Sequence, residues 1–242
     1  MSILAHQLVL QSPSDRFWSS VKLLVAFRGV NGSTTFVDKS IAPHTMTAVG
    51  NAQILNNLLE LDGTGDWVTS ADSADWPLTG NFCWEWFNVE FDVLTTLQCL
   101  TSHYDAFAPA ANNRGWAVFL NGAVAPKKLL VNASTLGTSA STTSPINADW
   151  APVAVTPYDF CLERSGTTIR FYIDGVMLAS ATYASTTFNS NSPLAIGSDN
   201  TQSGTTNANE LNGRLGVIRY TAAARYASDA GYVVPSLPLP VG

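Results

Sequence analysis

The segment FCLERSGTTIRFYIDGVMLASAT, residues Phe160–Thr182, decides the fold class. It holds short runs rich in β-branched and aromatic residues, cut by two glycine turns. The first run, Tyr158–Arg164, is predicted to meet Thr167–Ile173 across Ser165-Gly166. The second turns back from Phe171–Ile173 onto Val176–Leu178 across Asp174-Gly175. That dipeptide accepts the positive φ angles that match the natural twist of a two-residue hairpin. Successive strands with no helical period between them predict an antiparallel sheet.

The same texture continues outward in both directions. Strands are expected at Val21–Phe27, Thr45–Val49, Leu58–Leu61, Trp67–Ser70, Pro193–Gly197 and Arg214–Tyr220, and the longest runs Phe82–Val93. Alternation places Phe82, Trp84 and Trp86, then Asn88, Glu90 and Asp92, on one face of that strand. The other face carries Cys83, Glu85, Phe87, Val89, Phe91 and Val93. An apolar face that changes sides midway predicts a strongly curved or bulged strand. Residues 132–148 read as a long loop or a weakly paired edge, and Ala222–Ala230 as a turn or two of helix ended by Gly231. The chain divides into a polar docking arm (1–16), one all-β sandwich of two antiparallel sheets (17–235) and a Pro-rich tail (236–242), which lies on the surface because proline cannot pair in a central strand.

Composition narrows the function classes. The 242 residues are 46% hydrophobic, enough for a core, and only 12% charged. Net charge is −6, and the longest basic cluster is Lys127-Lys128, so there is no electrostatic footprint for nucleic acid and an anionic membrane surface is disfavoured. No apolar run is long enough to span a bilayer. The start, Met1–His6, lacks a basic n-region, which predicts synthesis in a cytoplasm without a signal peptide. Cys83, Cys99 and Cys161 are odd in number and sit in strand-like runs, and so read as buried free thiols.

Several segments in order resemble the laminin-G-like members of the concanavalin A-like lectin/glucanase superfamily: Trp18–Asn51, Leu61–Val68 (LDGTGDWV), Asn81–Val89 (NFCWEWFNV), Phe160–Thr182 and Leu194–Tyr226. The resemblance implies a jelly roll. It says little about function, because this fold carries lectins, hydrolases, lyases and structural modules. The Trp-Ser-Ser-Val opening and the Arg-Tyr-Thr ending are similar to modules on bacteriophage virions. That likeness implies a non-enzymatic homo-oligomer on the virion surface, either a capsid decoration or a tail accessory module. Its partners would be other virion proteins and, weakly, host glycans. The alternative is a glycan-binding adhesin of a tail apparatus, and the third reading is a polysaccharide hydrolase or lyase.

Glucanases of this superfamily carry Glu-x-Asp-x-x-Glu on one strand, so that two carboxylates flank the scissile bond. Here Glu90-Phe91-Asp92 begins the pattern, but Thr95 replaces the second Glu, so no acid/base pair and no catalytic residue is expected. Glu85, among large apolar residues, is either framework or a ligand contact. Tyr104, Arg114 and Trp116, with the Asn112-Asn113 amides, offer stacking and hydrogen bonding for a sugar, against core packing for Trp116. Asp62 and Asp66 flank a glycine turn that could bind calcium, the one cofactor considered; capping of that turn is the competing reading. His6, His44 and His103 are scattered, and no zinc spacing, phosphate-cradling loop or nucleophile elbow is present.

Overall fold

The computed structural model describes residues 14–105, 113–199 and 209–241. In chain order the strands are β1 (Val21–Ala26), β2 (Thr35–Val37), β3 (Thr45–Val49), β4 (Gln53–Leu55), β5 (Leu58–Asp62) and β6 (Trp67–Ser70). Then come β7 (Phe82–Phe91), β8 (Leu97–Tyr104), β9 (Arg114–Asn121), β10 (Lys128–Ser134), β11 (Thr142–Asp149) and β12 (Tyr158–Ser165). The last five are β13 (Thr168–Ile173), β14 (Val176–Thr182), β15 (Leu194–Ile196), β16 (Asn212–Leu215) and β17 (Val217–Thr221). They pair antiparallel into two sheets, an all-β sandwich as the sequence predicts. One sheet runs β14-β13-β12-β7-β16-β5-β4, with β17 bridging β7 to β1; the other runs β11-β10-β9-β8-β15-β6-β3-β2.

The deciding segment folds as two hairpins. Asp174 and Gly175 take φ angles of 51° and 76°, so Ile173 meets Val176 across a two-residue turn of the primed kind. The turn of the first hairpin lies one residue further along than expected, which shifts every pairing by two. Ser165 pairs with Thr168, and the turn is Gly166-Thr167, with Gly166 at φ 59°. Glycine at the first central position accepts that angle without steric cost, and this sets the register.

β7 carries the bulge that its alternation predicts. Asn88 stands at φ 54°, and the pairing with β12 slips between Phe160 and Tyr158. Before the bulge Trp84 and Trp86 face the core; after it Val89 and Phe91 do, while Phe87 packs in a separate cluster on the outer face. Two partners share the same edge of β7. β17 pairs with Cys83–Phe87, and β16 pairs with Glu90 and Phe91. Between them Gly216 donates its N–H to the Phe87 carbonyl, and a Cβ there would meet Asn88 at 3.0 Å. The sheet therefore forks at Asn88 and Gly216, one branch leading to β1 and the other to β5 and β4.

The core between the sheets is aromatic. Trp84 stacks on Tyr220 at 4.4 Å and packs against Trp116 at 5.0 Å. Trp86 Nε1 donates across the sandwich to Thr101 Oγ1 (2.8 Å), and Trp116 Nε1 donates to the Trp76 carbonyl (2.7 Å). Truncating a ring of this size in a packed core costs roughly 3–5 kcal/mol.

Residues 132–148 take the edge reading rather than the loop: β10 and β11 pair there, with β11 as the outer edge of its sheet. This strand, Thr-Thr-Ser-Pro-Ile-Asn-Ala-Asp, is mostly polar with only Ile146 buried, so the apolar signal of a strand is weak. Residues 222–230 form no helix. They begin a strap, residues 222–241, that crosses the outer face of the first sheet. Tyr226 and Tyr232 cover Cys83, Cys161 and Tyr172, and further on Leu237 and Leu239 cover Leu24, Phe87 and Val217.

Candidate functional site

The strap is fixed by buried charge. Glu85 accepts two hydrogen bonds from Arg219, at 2.6 and 2.8 Å, and one from Tyr226 Oη at 2.6 Å. Asp15 joins the network, accepting from Arg219 (3.3 Å) and Arg225 (2.6 Å). Burial opposes the charge on Arg219, but the Glu85 carboxylate outweighs it and holds the guanidinium ionised. Burial, with Glu85 beside it, raises the Tyr226 phenol far above its usual range. One strand over, Glu163 accepts the backbone N–H groups of Arg225, Tyr226 and Ala227. Glu85 is thus framework: it is fully buried beneath the strap, and its oxygens are committed, so the ligand-contact reading is corrected. Asp15 also moves the arm's boundary, since residues from Asp15 onward belong to the body; residues 1–13 lie outside the described residues.

The aromatic pair expected to stack on sugar does not form one surface. Trp116 is fully buried in the core. Tyr104, only 5% exposed, packs with Cys99, Ala117 and Phe119 on the opposite face of the second sheet. Arg114 pairs with Tyr104 across β8 and β9 and covers its ring at 5.6 Å. Strand alternation separates the two rings, which residue type alone does not reveal. Asn112 of the expected amide loop lies outside the described residues.

The Asp62–Asp66 turn is closed on itself. Asp62 accepts from Thr64 N–H and Asn51 Nδ2, and Asp66 Oδ2 accepts from Asp62 N–H. Gly65 N–H donates to Glu210 Oε2, and the buried Asp66 Oδ1 and Glu210 Oε1 are left without a partner. Among the described residues no group of three His, Cys, Asp or Glu is arranged to hold a metal. Two histidines do acquire acidic partners through the fold: His103 with Asp72 (3.2 Å) and His44 with Asp75 (3.3 Å). Burial lowers the affinity of His103 for a proton.

Where the strap stops, the outer face of the first sheet is open. A cleft of about 500 Å³ lies along the fork, lined by Arg28, Asn56, Asn57, Leu58, Asn88, Glu90 and Pro157. Asn56 and Asn57, at φ 54° and 62°, form the two-residue turn between β4 and β5. Asparagine tolerates this left-handed region better than other residues with a side chain. Asn57 Oδ1 accepts the Gly29 N–H at 3.3 Å. Beside the cleft, Arg214 binds Glu60 (2.6 Å), Asp92 (3.1 Å) and Glu90 (3.3 Å). The Glu-x-Asp pair is therefore held by an arginine on the outer face. Neither Arg214 nor the asparagine cleft is visible in the sequence as a site; the only signal was the polar run Asn88, Glu90, Asp92 on one face of β7.

A family profile described as the concanavalin A-like lectin/glucanases superfamily matches residues 62–227. The chain belongs to this superfamily. Solved structures agree on the fold at low identity. A botulinum neurotoxin type C structure, whose cell entry depends on two ganglioside molecules, aligns at TM-score 0.62 and 14% identity over 88% of this chain and 50% of that one. Trypanosoma rangeli sialidase in complex with sialic acid aligns at TM-score 0.59 and 13% identity, over 88% of this chain and 32% of that one. Domain 4 of an extracellular arabinanase from Geobacillus stearothermophilus, in complex with arabinotriose, aligns at TM-score 0.54 and 15% identity over 87% and 96%. The chain thus spans half the length or less of the first two and nearly the whole of the third. No curated protein matches it by sequence.

Proposed function

We propose that this superfamily member is a non-catalytic glycan-binding module. The observation that carries the reading is the state of Glu90 and Asp92, the start of the glucanase motif: both are hydrogen-bonded to Arg214, and Thr95 supplies no second Glu. General acid/base cleavage needs two carboxylates free to exchange protons across the sugar ring. Toxin and arabinanase domains of the same fold that are seen with or depend on glycans support binding as the use of this scaffold. The bacteriophage setting, with virion partners and a homo-oligomer, draws no support from these likenesses and is not part of the proposal.

The test is glycan-array binding of the purified protein together with an assay for new reducing ends on the bound polysaccharides. Binding without cleavage is expected. Release of reducing ends, abolished in Glu90→Gln, would replace the proposal with a hydrolase. No binding to any glycan would remove it.

A further inference from the structure

We infer that the cleft at the sheet fork is the sugar site, and that it takes an uncharged, hydroxyl-rich glycan rather than a sialylated or uronic one. The inference rests on the glycan-binding reading above and adds a place and a ligand class.

The place follows from what the strap leaves uncovered. On the outer face of the first sheet, Cys83, Glu85 and Phe87 lie beneath residues 222–241. The bulge at Asn88 then redirects β7, so that Asn88, Glu90 and Asp92 line the uncovered part. The cleft's volume falls within the usual range of small-ligand pockets, roughly 300–1,000 Å³. A glycan-binding function also needs groups not already spent inside the protein. Arg28 is exposed, and among the described residues its guanidinium makes no hydrogen bond or ion pair. Asn57 uses its Oδ1 on Gly29, which leaves its Nδ2 donors for a ligand.

Three side-chain amides in one cleft carry both donors and acceptors, the combination that neighbouring hydroxyls on a sugar ring match. Arg28 adds a planar donor fork, and Glu90 an acceptor. The turn and the bulge fix the backbone beneath these groups, so little ordering is lost on binding.

Charge selects the ligand class. Within the lining, Arg28 and Glu90 cancel. Adjacent to it, Arg214 faces three carboxylates, Glu60, Glu90 and Asp92. The surroundings are thus net negative by one charge once Arg28 is counted. An anionic sugar would meet more like charge than opposite charge, and like charges in apposition exclude wrong partners.

The experiment measures binding of the whole protein to immobilised glucose-, galactose- and mannose-terminated oligosaccharides and to sialylated versions of the same chains. Arg28→Ala and the double variant Asn56→Gly, Asn57→Gly are compared with Arg114→Ala, which lies in the other sheet. Glycine keeps the turn's positive φ angles while removing both amides and the Asn57–Gly29 hydrogen bond, and Arg28 is exposed; a thermal melt of each variant checks that the fold is retained. The expected result is binding to neutral glycans, weakened at least tenfold in both cleft variants and unchanged in Arg114→Ala. Full affinity in both cleft variants would overturn the site while leaving glycan binding standing. Preference for the sialylated chains would overturn the ligand class. Absence of binding by the unaltered protein would sink the proposed function itself, and the inference with it.

Discussion

Arg219 on β17 and Glu85 on β7 face each other in a two-pronged ion pair of 2.6 and 2.8 Å, and neither side chain reaches water. Their strands are direct neighbours, with Arg219 opposite Glu85 in the ladder. Removing Arg219 leaves the buried Glu85 with only Tyr226 and a more distant Arg225 (3.6 Å), and breaking a buried pair typically costs 3–5 kcal/mol. Arg219→Met is therefore expected to lose about that much stability in urea denaturation. The double variant Arg219→Met, Glu85→Leu should recover a large part of the loss. Equal destabilisation in single and double variants would show that Glu85 is satisfied by Tyr226 alone.

Glu163 is the clasp at the start of the strap. Its carboxylate holds three consecutive backbone N–H groups, and Glu163→Gln would leave the amide with a single acceptor oxygen for them. Hydrogen exchange at Arg225, Tyr226 and Ala227 is expected to speed up by at least tenfold in this variant, with exchange in β8 and β9 unchanged. Unchanged exchange at those three amides would mean that the tyrosines hold the strap without Glu163.

A different buried acid works against the fold. Burial pushes Asp199 from 3.8 up to about 6, with Asp105 and Glu210 adding repulsion and an Asn209 hydrogen bond opposing it. In the native state Asp199 keeps its proton to higher pH than in the unfolded chain. Its contribution to stability thus grows as pH falls from about 6 toward 3.8, and above 6 the full cost of ionisation is present. A shift of this size corresponds to about 2–3 kcal/mol. Asp199→Asn keeps an acceptor for Asn209 and should stabilise the protein at pH 7.5 by about that amount, with little effect at pH 4. Equal effects at both pH values would rule out ionisation as the cause.

The three cysteines are buried, and burial raises each thiol above its usual range. Thiolate, the reactive form, is therefore scarce and shielded. Titration with a thiol reagent at pH 8 is expected to find none in the native protein within an hour and three in concentrated guanidinium chloride. Rapid labelling of Cys83 and Cys161, with Cys99 still protected, would show that the strap opens over them.

The parts of the fold legible in sequence are those written locally. Asp174-Gly175 announces its turn because few dipeptides accept two positive φ angles, and the face switch in Phe82–Val93 announces the bulge at Asn88. Gly166 misled by one residue, because either neighbour can complete a glycine turn. Thr142–Asp149 could be read as loop or edge, because exposure at the edge removes the apolar half of the alternation. The site was harder to read, because its parts come from separate stretches. Arg28, Asn56-Asn57 and Asn88 share a cleft only because the sheet forks there. Trp116 and Tyr104 look alike as sugar platforms, yet alternation points them to opposite faces.

The pairing of Glu85 with Arg219 spans 134 positions of sequence. Every partner of β7 in its sheet, β12, β16 and β17, is synthesised after it. During translation the hydrophobic middle of the sandwich is therefore made long before anything can flank it. Closing such distant contacts is entropically slow, and proteins rich in them fold over milliseconds to seconds. The nascent chain must keep a tryptophan-rich strand from the wrong partners until its last strands arrive. Chaperone dependence and a tendency to aggregate when translation stops before β17 are the expected consequences.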